Sequence, residues 1–310
     1  MYSKFKRSLE LFKACFLVVK GNARLLIFPL FNLFPVLIIL SFFLVPLFAG
    51  QIITDTSPDG VQSIAFNGDD IIKKALKRAD HILANFPNIA YIAFIAIYLV
   101  MMFIATFINV AFYSEILKAI NGQSVSIFRG FQTATKKIKA IFLWSLLTGI
   151  VGVIIRFLAE QLDFFGRWIM GLVGIAWSVV TVFAIPVLIR EENQSNPVNY
   201  LKYSAKLIKK TWGEGVIGFL AITIFTRLLI LAFFFTPIVL GSIIAASGFK
   251  VGLLVIVVGV LIALFLSFVV IYLQSLMTNI FRCTLYVYAS EGVVPTAFSE
   301  DMLIDSFKLK

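Results

Sequence analysis

The chain has little of what enzymes use for chemistry: among 310 residues there are two cysteines, Cys15 and Cys283, and one histidine, His81. That inventory excludes a Cys/His zinc site, a Cys–His nucleophile pair and a disulfide framework, each of which needs several such side chains. Charge is scarce too. Asp, Glu, Lys and Arg supply 14% of the residues, where soluble domains carry about a quarter. No GxxxxGK[ST] phosphate loop, HExxH or GxSxG elbow occurs. Neither enzymatic activity nor a metal or other cofactor is expected.

What fills the chain is apolar, at 60% of residues and a mean hydropathy of +0.99. A bilayer core about 30 Å thick takes roughly 20 apolar residues at about 1.5 Å each, so uncharged runs read as spans. They fall at 25–49, 89–113, 140–162, 168–189, 216–246 and 251–281. Pro29, Pro35, Pro46 and Asn32 predict a kinked first span. The last two runs exceed a flat bilayer and require tilt, a kink at Pro237 or protrusion. The expected fold is all-α: one polytopic helical membrane domain, with about six transmembrane helices in three hairpins and interfacial amphipathic helices. An extracytoplasmic insertion at 50–88 carries one further helix, with His81 on its polar side. The first apolar run is too long and starts too late for a cleaved signal peptide, so an uncleaved span is expected.

Positive residues set the orientation. Of 27 Lys and Arg, nineteen fall on the side that holds both termini, seven on the other, and Arg227 lies within a span. The side rich in Lys and Arg is retained in the cytoplasm. Both ends are therefore expected to be cytoplasmic, in a multi-pass protein of the cytoplasmic (inner) membrane. Basic residues that bracket spans this way are topology signals, so nucleic acid is not an expected partner.

Three basic segments with apolar residues at helical spacing precede the three hairpins: 5–20, 127–139 and 200–212. Helices of this kind lie in the membrane interface and offer Lys and Arg to anionic headgroups. Lys136, Lys137, Lys209, Lys210, Trp212 and Glu214 are the candidate residues of this cytoplasmic interface. Gly122-Gln123-Ser124 and Asn193-Gln194-Ser195 lead into the second and third segments at a period of about 71 residues, which suggests parallel repeats.

Arg227 is the costliest residue by position, because an intramembrane arginine needs a partner or a reason. Aligning Lys136-Lys137 with Lys209-Lys210 sets Arg156 at nearly the same depth in the preceding hairpin. Two guanidinium forks at one depth can hold an anionic group between them. Equally, both can snorkel to headgroups or pair with Glu160 and Asp163. Arg156 with Glu160 and Asp163 with Arg167 are each four residues apart, the spacing of helical ion pairs. Small residues read as packing sites: Gly174 with Ser178, and Gly259 with Ala263 and Ser267. Asn109, Gln274 and Asn279 read as interhelical hydrogen-bonding groups or as lining of a polar path.

Several stretches resemble a known family. They are Thr106-Phe-Ile-Asn109, Ala176-Trp177-Ser178 through Pro186-Val187-Leu188, Lys210-Thr211-Trp212-Gly213-Glu214, and Phe281-Arg282 with Leu285-Tyr286 and Tyr288-Ala289. The chain is similar over 105–298, and more weakly over 4–48, to uncharacterised six-span prokaryotic membrane proteins known only as a domain of unknown function. Residues 50–88 depart from that pattern. The resemblance implies a prokaryotic cytoplasmic-membrane protein and supplies no catalytic residue. Three functions are expected in descending order. The first is a non-enzymatic component engaging anionic lipid or a small anion, in transport or lipid handling. The second is a structural or assembly partner of another membrane protein. The least favoured is a transferase or hydrolase acting through Glu160 and Asp163.

Overall fold

The computed structural model describes residues 13–35, 37, 87–191, 196–211, 214–247 and 251–298. Most of the 50–88 insertion with His81, the start of the first basic segment, Asn193 to Ser195 and Trp212 lie outside them. So do the side chains of Lys210 and Glu214. Among the described residues every regular element is helical.

The chain opens with α1 (Lys13–Gly21), which meets α2 (Ala23–Pro35) at 97°. Asn22 makes the corner, its side-chain amide donating to the Val18 carbonyl at 3.2 Å, so the freed end of α1 is capped where α2 turns away. Next come α3 (Pro87–Ala119), α4 (Ile127–Lys136), α5 (Ile138–Gln161), α6 (Phe164–Val180), α7 (Ala184–Arg190), α8 (Pro197–Thr211), α9 (Glu214–Ala246) and α10 (Val251–Glu291). Among the described residues, five stretches are long and apolar enough to cross a membrane, or six if α1 and α2 form one bent span. α3 continues to Ala119 and α10 to Glu291, past the expected limits of 113 and 281. The extra turns are where these helices become protein-buried, so charge and polar groups no longer end them.

Burial is uneven along the bundle. Phe28, Phe112, Ile116, Ile141, Leu188, Tyr200, Leu276 and Ile280 form a core where α1, α2, the end of α3, the start of α5, α7, α8 and the end of α10 converge. This is the packed end. Toward the other end the spans turn large apolar side chains outward, among them Ile92, Ile154, Phe164, Trp168, Leu253 and Phe265. Water would make such surfaces costly, whereas hydrocarbon does not.

α9 and α10 form a hairpin that packs chiefly on itself. Close approach depends on glycine: a Cβ on Gly259 would stand 2.2 Å from Pro237 Cβ, and one on Gly252 would stand 2.5 Å from the Ala245 nitrogen. Ala263 and Ser267 continue the stripe and are buried, as expected of a small-residue packing seam. The expectation for Gly174 is corrected. A Cβ there meets nothing within 4 Å, and Ser178 is exposed, its hydroxyl donating to the Gly174 carbonyl of its own helix.

Candidate functional site

Between α6 and α7 the helix breaks at residues 181–183. Pro186 explains the break: it lacks an N–H and its ring crowds the carbonyl four residues earlier, at Val182. A break in an apolar helix leaves backbone groups that must find partners. Ser204 on α8 supplies them. Its Oγ donates to the Val180 carbonyl at 2.6 Å and accepts from the Phe183 amide at 3.1 Å. One turn earlier, buried Tyr200 stands edge-on to Trp144 of α5 with ring centroids 6.4 Å apart. Leu207 and Ile208 extend the buried side, while Lys202, Tyr203, Lys206 and Lys209 are exposed.

Beside α8 lies an open cleft of about 440 Å³ lined by Val187, Glu191, Asn199, Tyr200, Lys202, Tyr203 and Lys206. Lys202 and Lys206 are four residues apart on one face, and among the described residues neither joins an ion pair. Lys137 brings a third ammonium to the rim, donating to the Glu191 carbonyl at 2.6 Å. Glu191 is the opposing charge. Burial, and then the charge of Glu191, hold the Tyr200 phenol above its ordinary pKa, so it stays a neutral hydroxyl. Ammonium groups on flexible stems beside two tyrosines and Val187 suit a phosphate group.

Two polar groups flank this region at the packed end. Glu115, fully buried, accepts from Arg129 through both oxygens, at 3.1 Å from Nε and 2.8 Å from Nη2. Lys118 Nζ adds a bond at 2.9 Å and the Ser126 amide one at 2.7 Å. Glu115 in turn holds the Arg129 guanidinium above its usual pKa through those hydrogen bonds. Gly122, at φ 75°, makes the reversal that returns the chain to Glu115, and Arg129 also donates to the Ser124 carbonyl. The other group joins α3 to α10. Arg282 Nη1 donates to the Tyr113 hydroxyl at 2.8 Å, and Tyr113 donates to Asn279 Oδ1 at 2.7 Å.

With this geometry in view, a model of a family of unknown function, DUF6159, matches residues 88–296. The chain belongs to that family. The DUF6159 region holds the cleft, the Glu115 group and the Arg282 group within its limits. No curated protein and no solved structure matches the chain.

The expected residues divide on inspection. Arg156 and Glu160 pair at 3.0 Å, with side chains 84% and 63% exposed. Asp163 and Arg167 are exposed and form no ion pair among the described residues. Arg227 is exposed on α9 and likewise without an ion pair there. The Pro237–Gly259 register, extended along the hairpin, sets Arg227 level with the stretch near Ser267, midway in the uncharged run of α10. The contacts of Arg156 reach Glu160 and do not reach Arg227. Lys136 and Lys209 are exposed at the packed end; Lys137 is half-buried against Glu191. Asn279 does bond between helices, through Tyr113.

Glu115, Ser204 and Tyr113 escaped the sequence reading. Glu115 stands two residues beyond the expected end of its span and so looked like an ordinary loop acid. Its signal was the apolar sequence continuing past it, Ile116-Leu117 then Ala119-Ile120.

Proposed function

We propose that the protein is a non-enzymatic integral membrane component that holds anionic lipid headgroups at the cytoplasmic face of its membrane. In this reading the packed end is cytoplasmic, as the distribution of Lys and Arg requires. α4 and α8 lie along the interface, with Phe128 of α4 and the lysines of α8 directed outward. The observation that supports the reading is the cleft beside α8, where Lys202 and Lys206, in no ion pair among the described residues, stand beside Val187, Tyr200 and Tyr203. A surface lysine near an anionic bilayer contributes about 1 kcal/mol, so two in one cleft give a preference rather than tight capture. That magnitude fits a component that organises or hands on lipid.

Reconstitution tests this. The full chain is placed in nanodiscs of phosphatidylcholine alone or with one-third phosphatidylglycerol, and unfolding is followed on heating. A ligand that binds the folded state raises its stability, so Tm rises with phosphatidylglycerol in the wild type. The rise is expected to shrink by at least half in Lys202→Gln/Lys206→Gln. An equal rise in both proteins contradicts the assignment.

A further inference from the structure

Among the described residues no acid pairs with Arg282. It is the first charged residue after the uncharged run 251–281, the level at which a span leaves hydrocarbon. Its side chain is half-buried, and its Nε is buried without a hydrogen-bond partner. Nη1 meets the Tyr113 hydroxyl, whose own hydrogen is committed to Asn279. Every acceptor in that chain is neutral. The acids closest in sequence to the group are already engaged: Glu115, two residues after Tyr113, is taken by Arg129, Lys118 and Ser126, and Glu291 pairs with Arg190 at 3.1 Å. Among the described residues Arg282 joins no ion pair. A guanidinium partly withdrawn from water without an anion is unfavourable, and its planar fork matches phosphate oxygens.

The surroundings indicate what the phosphate is attached to. On the membrane side of Arg282, α10 exposes Leu261, Leu264, Phe265, Phe268 and Ile271, a face that its hairpin partner leaves open. Arg282 itself lies within the buried stretch of the helix, between Leu276 and Ala289. Arg282 shares the helical face of Leu264 and Ile271 and stands about 16 Å along the axis from Ile271, eleven residues on at about 1.5 Å each. We propose that Arg282, its fork oriented by Tyr113 and Asn279, binds the phosphate of a phospholipid whose acyl chains run along the exposed face of α10. This site is separate from the α8 cleft and does not need that cleft to be occupied.

The test uses native mass spectrometry of the full chain in detergent. It is titrated with dioctanoyl-phosphatidylglycerol, dioctanoyl-phosphatidylcholine or inorganic phosphate. Wild type, Arg282→Gln and Lys202→Gln/Lys206→Gln are compared. The expected result is one phosphatidylglycerol whose affinity falls at least tenfold in Arg282→Gln, that survives in the double lysine variant, and that phosphate displaces poorly. Unchanged affinity in Arg282→Gln overturns the site, and displacement by phosphate at matching concentration overturns the lipid as its source. Loss in the lysine variant alone leaves the cleft reading standing and removes this one. Should Arg282→Gln fail to fold, wild type decides with phosphatidylglycerol carrying a diazirine on its acyl chain. Labelling of 261–271 that excess phosphatidylglycerol suppresses and phosphatidylcholine does not is expected; labelling confined to α8, or insensitive to competition, overturns the proposal.

Discussion

Single residues at the packed end act through hydrogen-bond arithmetic. Glu115 accepts four bonds, and its carboxylate is fully buried, so removing its partners differs from removing its charge. Glu115→Gln keeps an acceptor, and Arg129, whose side chain is 39% exposed, can turn to solvent. A loss of about 1–3 kcal/mol is expected. Arg129→Ala leaves a buried carboxylate with two of its four bonds and should cost more, toward about 3–5 kcal/mol. Unfolding titrations in mixed micelles check the order; the reverse order would mean that Arg129, not Glu115, carries the buried charge. At the same scale, Ser204→Ala strips partners from the Val180 carbonyl and the Phe183 amide. About 1–3 kcal/mol is expected there as well, with faster amide exchange at 180–184 as the specific sign.

Elements are governed by what they can approach. The α9–α10 seam tolerates no Cβ at Gly259, so Gly259→Leu should force the two helices apart and lower Tm, and a double-cysteine distance measurement across the hairpin should lengthen. Gly174→Ala meets open space, and Ala exceeds Gly in helix propensity by about 1 kcal/mol, so that variant should be neutral or stabilised. These two glycines looked alike in sequence, since both sit in four-residue small-side-chain patterns. Spacing reveals a helix face but not whether another helix covers it. The break at 181–183 was hidden for a related reason: Pro186 marks it, but the serine that satisfies it lies 21 residues past Phe183 on a different helix.

At the scale of the whole molecule, composition made the all-helical fold and the long apolar helices legible, because hydrocarbon thickness converts directly into run length. The basic character of α8 was legible too, although the sequence reading singled out Lys209 and Lys210 and the lysines that line the cleft are Lys202 and Lys206. The polar groups Glu115–Arg129 and Tyr113–Arg282 were not, for each joins residues 14 and 169 positions apart that come together when the ends of the spans pack. The core is concentrated at one end, while toward the other the spans expose large apolar side chains. The most direct test is the lipid that stays bound when the protein is gently extracted from its own membrane. The account predicts phosphatidylglycerol and cardiolipin enriched several-fold over the bulk membrane, falling toward the bulk ratio in Lys202→Gln/Lys206→Gln. Bulk composition around the wild type, unchanged in that variant, would contradict it.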